Sequence, residues 1–444
     1  MIEKQVNRNI TIGIVTLGCA KNLVNTEQMM YLLAEAGYKV TGEKTCDAVI
    51  VNTCGFIESA KMEAIEAIIE LADLKEKGRI SKIIVAGCLA ERYKSEIMEE
   101  MPEVDALVGV GSFDEIVSIV KSVVEDNEKP QFFKDINCPV SETKRIITTS
   151  PSWAYLKIAE GCDNNCAYCV IPSLRGRFRS RPVNRIVEEA VGLKDRGVKE
   201  LIIVAQDVTR YGLDLYEKRS LPKLLSALCG IDDLEWIRLH YLYPDDIDNE
   251  LIEVIAGNDK ILKYLDIPIQ HISDRILRKM NRRGCGAEIR DLIKRLRERI
   301  PGVVLRTSII TGLPGEGEKE FEELCMFLRE AKIERAGVFP YSPEEGTDAA
   351  LMKRPDRDIA ERRAELATDI QSGIMDEFNI SRVGDVIRVL IEGCEDGNYF
   401  SRSFAESPDI DGYITVMGAA KENEFYNVRI TGIDNGELVG QVES

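Results

Sequence analysis

Histidine is nearly absent from the 444 residues: only His240 and His271 occur. A zinc site of the usual mixed Cys/His kind therefore has almost no nitrogen ligands to draw on. Long apolar runs are missing too. The apolar start "ITIGIVTLGCA" is shorter than a membrane span needs, has no cleavage signature and runs straight into "KNLVNTE", so neither a membrane segment nor a secretory leader is expected. Positive charge is in deficit: Lys and Arg number 58 against 76 Asp and Glu, a formal net charge of -18. Such a balance weakens any unaided grip on bare nucleic acid, because that affinity comes mainly from neutralising phosphates. A basic protein partner suits it better. A phosphate loop is also lacking, since "TGLPGEGEKEFEEL" is glycine-rich but has no Gly-Lys-Ser/Thr; it reads as a tight turn before an acidic helix start.

What is present is 44% hydrophobic and 30% charged residues, the balance of a globular chain, and the length argues for two or three domains. From residue 10 to about 125, β-branched runs such as "DAVIVNT" and "SKIIVAG" alternate with helical patterns, which predicts a small α/β domain with a parallel sheet. The charged, threonine-rich stretch from about 125 to 150 reads as a linker. From 153 the alternation restarts, and "WAYLKIAEG", "VKELIIVAQD", "EWIRLHYLYP", "KYLDIPIQ", "GVVLRTSIITG" and "AGVFPYS" are six strands separated by helices. Six such units imply a partial (β/α)6 barrel with chemistry at the carboxyl ends of its strands. After a long helix over 356–380, four short strands separated by turns, among them "GDVIRVLIEG" and "EFYNVRITGI", predict a small β-barrel binding module. The expected domains are 10–126, 148–378 and 379–444.

Twelve cysteines in a chain expected to be cytoplasmic are metal ligands, reactive thiols or core filler before they are disulfides. Three of them, Cys162, Cys166 and Cys169, crowd the stretch "AEGCDNNCAYCVIPSLRGRFRSRP" just past the first barrel strand, and no fourth is near: the closest are Cys138 and Cys229. Three thiolates can hold three irons of a four-iron four-sulfur cluster and leave the fourth iron open to a ligand that is not protein. A second set is spread out. Cys19, Cys54 and Cys88 each follow an apolar strand, at intervals of 35 and 34 residues, and in a parallel sheet those carboxyl ends share one edge. Buried core cysteines are the plain alternative, which three repeats of one placement argue against. Cys46, Cys138, Cys229, Cys285, Cys325 and Cys394 are not expected to be ligands, and His240 and His271 are expected to be packed or hydrogen-bonded.

The Cys-x-x-x-Cys-x-x-Cys loop with Tyr168 before its last cysteine resembles the radical S-adenosylmethionine (SAM) superfamily. With the spread triplet, the α/β domain and the terminal barrel, nearly the whole chain resembles the methylthiotransferases, whose terminal module is called TRAM. The motifs "IPSLRGRFRSRP", "LHYLYP", "DIPIQHIS", "GVFPYSPEEGT" and "SRSFAESPDIDG" resemble the RimO branch, which modifies an aspartate of ribosomal protein S-twelve rather than an adenosine of transfer RNA. The resemblance implies two 4Fe-4S clusters, one on each triplet, SAM as a cofactor used both for methylation and for radical formation, and an electron donor. It places Tyr168, Gln206, Arg306, Thr307 and Ser308 beside SAM. Arg175, Arg177, Arg179 and Arg181 are candidates for gripping the substrate carboxylate, for which the planar guanidinium fork is suited; a solvated charged loop is their other reading. Residues 381–444 carry five basic and twelve acidic side chains, which favours a basic polypeptide over RNA. No membrane and no direct transfer-RNA substrate are expected. The transfer-RNA branch, a two-cluster electron-transfer or cluster-delivery protein and a zinc-bearing RNA-binding protein are the alternatives.

Overall fold

A computed structural model describes residues 10–42 and 45–443; Ser444, the last residue of the expected third domain, lies outside them. The chain divides into two compact units. One is formed by residues up to Thr148 with Ala159–Arg181 and Glu344–Thr347, the other by Thr149–Ile158, Pro182–Pro343 and the remainder from Asp348. Among the described residues no helix is long and apolar enough to cross a membrane.

The first unit is built on β-branched runs that are apolar on both faces, as strands buried in a parallel sheet must be. Its strands lie in the order Lys39–Thr41, Thr11–Thr16, Cys46–Thr53, Ile80–Gly87, Ala106–Val108 and Gln131–Phe132, all parallel. Alternate side chains of the central strand serve opposite layers. Ala48 and Ile50 pack with Met29 and Leu33 of the helix Ala20–Glu35 and with Ile119 and Val120, while Val49 and Val51 pack with Ala64, Ile68 and Leu71 of the helix Glu58–Glu76. Ile50 is fully buried, so truncation to Ala should cost about 2–5 kcal/mol.

The stretch 125–150 is not a bare linker. Gln131–Phe132 adds the sixth strand, paired with Leu107 and Val108. Farther on, Arg145 pairs at 2.5 Å with buried Glu27, and the Ile146 N–H donates to the Glu27 carbonyl. Composition suggested solvent exposure, but a buried carboxylate needs a buried partner, and this segment supplies it.

The second unit contains all six expected barrel strands. They form one parallel sheet in the order Arg335–Pro340, Val304–Thr311, Ile261–Asp266, Trp236–Leu239, Glu200–Val204 and Trp153–Lys157. The helix Arg357–Ser381 leads into a closed barrel of five strands, Val386–Glu395, Asn398–Arg402, Ile414–Met417, Glu437–Val442 and Phe425–Asp434. The sequence reading has four of these and lacks Asn398–Arg402. That strand is announced by Asp396-Gly397, whose φ of +50° and +83° make the two-residue turn that such a pair favours between antiparallel strands.

"SRSFAESPDIDG", noted above only as a branch marker, joins this barrel to the parallel sheet. Arg402 donates to Glu200 (2.8 Å) and Glu392 (2.8 Å). Arg238 completes Glu200 from the other side (2.6 Å) and donates to the Phe404 carbonyl. Glu406 takes Arg335 (3.1 Å) and Arg382, Ser407 meets His240 at 2.9 Å, and Asp411 accepts from the Tyr264 hydroxyl. His240 is thus hydrogen-bonded, as expected. Desolvation penalises every charge here, yet the two guanidiniums hold the Glu200 carboxyl below its usual range. Removing one partner would strand a buried ion, at about 3–5 kcal/mol.

Candidate metal centres

In the first unit the strands ending before Cys19, Cys54 and Cys88 are neighbours, with Thr16 paired to Asn52 and Thr53 to Gly87. Their carboxyl ends therefore align, and the three cysteines arrive at one edge. Two glycines permit the approach. Gly18 has φ +86°, and a Cβ there would lie 2.6 Å from the Cys54 Cβ; a Cβ on Gly55 would lie 2.9 Å from the Cys88 backbone. Only residues without a side chain fit.

Polar side chains brace this edge. Asn22, one turn past Cys19, donates to the carbonyls of Leu17 and Thr53, both at 3.0 Å. Asn52 donates to the Asn22 carbonyl (2.9 Å), and Thr53 Oγ1 donates to the Ala86 carbonyl (2.6 Å). The thiols sense one another: burial, then the Cys88 and Cys19 sulfurs, push Cys54 up to about 11. Burial also raises Cys88, against the pull of Arg175. Cys19 stands at the head of the helix Ala20–Glu35. Burial raises it, but the charges of Lys21 and Arg175 and the N–H groups of Asn22 and Lys21 together leave it below its usual range.

The second triplet lies in a loop of the same unit, closed at its neck by antiparallel pairing of Ala159–Glu160 with Arg179–Ser180. The Cys162 N–H donates to the Gly176 carbonyl (3.1 Å) and the Cys169 N–H to that of Cys166 (3.0 Å). Backbone N–H groups also point at sulfur, from Asn164 to Cys162 (3.4 Å) and from Ile171 to Cys169 (3.5 Å), as in cluster-binding loops. Cys88, Val170 and Leu174 share one apolar cluster with Phe56 at its rim, so the two triplets have a common wall.

Each triplet offers three thiols in a partly dry, N–H-rich setting, which fits an iron–sulfur cluster. Among the described residues no three His, Cys, Asp or Glu side chains close around a single ion; the ligands of a four-iron cube stand farther apart than those of one ion.

The four arginines have separate fates. Arg175 is buried, with Nε donating to Cys88 Sγ (3.3 Å), Nη1 to both Glu160 oxygens (3.3 Å each) and Nη2 to Asn22 Oδ1. Arg181 forks onto Glu142. Arg177 is exposed, and half-buried Arg179 donates to the Arg175 carbonyl (3.2 Å). Tyr168 is half-buried in the loop. In the second unit, Gln206 lies two residues past the strand Glu200–Val204. Arg306 is paired with Asp266 (2.8 Å) near the amino end of its strand, and Thr307 donates to the Ile267 carbonyl (2.8 Å). Ser308 is half-buried on the same strand face as Arg306. Asn22 and Glu160 were not singled out in the sequence, although the first stands one helical turn beyond Cys19 and the second two residues before Cys162.

Three family models match in succession: the uncharacterised protein family UPF0004 over residues 11–109, the radical SAM superfamily over 156–328 and the TRAM domain over 383–442. Among solved structures, the radical SAM methyltransferase TsrM from Kitasatospora setae, with cobalamin and a [4Fe-4S] cluster bound, is similar in fold. It has a TM-score of 0.57 at 14% identity, covering 76% of this chain and 77% of that one. The chain is an enzyme of the radical SAM superfamily, a class that works with a 4Fe-4S cluster and SAM. Proteins named ribosomal protein uS12 methylthiotransferase RimO match it over nearly its whole length. The one from Acetivibrio thermocellus is 48% identical over 97% of this chain and 98% of its own, and that from Pelotomaculum thermopropionicum is 49% identical over 97% and 99%. The chain belongs to the RimO family.

Proposed function

We propose that this protein adds a methylthio group to the β-carbon of an aspartate in ribosomal protein S-twelve, using two 4Fe-4S clusters held by Cys162, Cys166 and Cys169 and by Cys19, Cys54 and Cys88. The observation that supports the reading is the pair of separate cysteine triplets within one folded unit, Cys19, Cys54 and Cys88 at one sheet edge and Cys162, Cys166 and Cys169 in one loop. Bound there, a cluster on Cys162, Cys166 and Cys169 would supply radical chemistry with SAM, and one on Cys19, Cys54 and Cys88 would supply the sulfur of the methylthio group.

The chain's own part is holding and selecting. The N–H groups of Asn164 and Ile171 hold ligand sulfurs of the radical loop; Asn22 and the glycine turns hold those of the other triplet. Tyr168, Gln206, Thr307 and Ser308 are the proposed SAM contacts, with Arg306 a weaker candidate because Asp266 already engages it. Of the four arginines, Arg175 and Arg181 are committed to internal carboxylates, so Arg177 and Arg179 are the ones to meet a substrate carboxylate. All five basic residues of the terminal region are ion-paired, Arg382, Arg388, Arg402, Lys421 and Arg429, whereas Glu395, Asp396, Glu422 and Asp434 are exposed. The outward charge of the barrel is negative, which suits a basic polypeptide and opposes RNA.

Anaerobic reconstitution, addition of SAM, a low-potential reductant and either S-twelve or transfer RNA, then mass spectrometry of each, tests the reading. The S-twelve aspartate should gain methylthio in place of hydrogen. Modified adenosine instead would replace the ribosomal substrate with the nucleic-acid one.

A further inference from the structure

Arg175 is more deeply engaged than a substrate clamp should be. It is 1% exposed, and all three of its nitrogens are in use. Nε donates to Cys88 Sγ at 3.3 Å, Nη1 spans the two oxygens of Glu160, and Nη2 meets Asn22 Oδ1. Asn22 in turn holds the carbonyls of Leu17 and Thr53 at 3.0 Å, each one or two residues before Cys19 or Cys54. A single guanidinium thus reaches all three ligand segments of the spread triplet: one directly, two through Asn22. It does so from the other triplet's loop, six residues past Cys169, beside the Gly176 carbonyl that fixes the Cys162 N–H.

We propose that Arg175 is a positioning residue that holds the Cys88 ligand sulfur and thereby sets the reduction potential of a cluster on Cys19, Cys54 and Cys88, an assignment that rests on the two-cluster reading above. Reduction adds one negative charge to a cluster and its thiolates. A cation that keeps its proton at any accessible pH, hydrogen-bonded to a ligand sulfur in a buried setting, stabilises the reduced form and raises the potential. Glu160 neutralises the far side of the fork, which leaves the Nε–H dipole aimed at sulfur. The network also ties the geometry of the spread triplet to the radical loop, so a disturbance at one is felt at the other.

The test uses the full chain carrying Cys162→Ala, Cys166→Ala and Cys169→Ala, so that iron sits at one site only, reconstituted anaerobically and titrated under electron paramagnetic resonance. Arg175→Lys keeps a charge for Glu160 but loses the fork. The pair Arg175→Met with Glu160→Gln removes the guanidinium together with the carboxylate it pairs with. Both variants should retain iron and titrate more negatively than the parent, the pair by about tenfold in the reduction equilibrium, which is about 59 mV for one electron. Loss of iron in either variant, from a chain still folded by circular dichroism, equally supports the hold on Cys88. Iron retained at an unchanged potential in both variants overturns the role of Arg175 and leaves the two-cluster reading standing. Absence of iron in the parent itself overturns that reading, and this one with it.

Discussion

The two cysteine triplets sit in one unit but are made in opposite ways. Cys162, Cys166 and Cys169 fall within eight residues, and the loop that holds them carries its own geometry in backbone hydrogen bonds and a paired neck. Cys19, Cys54 and Cys88 are brought together only when three strands pair in register and two glycines let the turns close. The local site therefore depends on a few φ/ψ values, the spread site on the whole sheet. Iron held at the spread triplet would therefore report folding of the first unit, because a ligand set absent from the unfolded chain couples binding to folding.

The sharpest way to break the comparison is to delete each set. Replacing Cys162, Cys166 and Cys169 by Ala should remove about half the iron and all formation of 5'-deoxyadenosine. Replacing Cys19, Cys54 and Cys88 should remove the other half and the methylthiolated product while SAM cleavage persists. Loss of all iron from either folded triple variant would mean one shared site. Next in size is Gly18→Ala, which changes no ligand. Its Cβ would press on Cys54 in a backbone conformation costly for any other residue, so iron should fall at the spread site alone, a difference that iron analysis of the two deletion backgrounds reads directly.

A smaller effect is expected at the neck of the local loop. Arg177→Ala and Arg179→Ala should lower methylthiolation of the ribosomal aspartate by on the order of ten- to a hundredfold, since loss of positioning is costly, with uncoupled SAM cleavage unchanged. Wild-type product rates in both would leave these arginines as a solvated face.

The smallest effect belongs to the second unit and serves as a control for both triplets. Burial opposes the charge of Glu406, but Arg382 and Arg335 outweigh it and hold its carboxyl down at about 2. A depressed carboxylate contributes stability that is complete above the ordinary 4.5 and is lost as pH falls toward 2, here about 3 kcal/mol. The Tm of the second unit should fall over that window and the fall should flatten in Glu406→Gln. An unchanged slope would locate the acid sensitivity elsewhere.

The same contrast explains what could be read before the structure. The local triplet was legible as spacing alone, and the spread one as three cysteines each ending an apolar strand. All six barrel strands showed in the apolar runs. What escaped depends on partners far away in sequence. Arg145 reads as a linker charge until Glu27 is seen beneath it, and Arg175 as one of four loop arginines until Cys88 appears at its Nε. The strand Asn398–Arg402 escaped for a different reason: it follows a turn that composition does announce, but its own residues are too polar to stand out.

The buried ions of "SRSFAESPDIDG" bear on how such proteins can be recombined. Glu200 and Arg335 sit on strands of the parallel sheet, Arg402 at the end of the terminal barrel's second strand and Glu406 in the segment that follows it, and each of the four has a buried partner in the other set. A terminal module grafted from a relative would have to bring matching charges or leave naked ions behind, so the module and its sheet can be exchanged only as one piece.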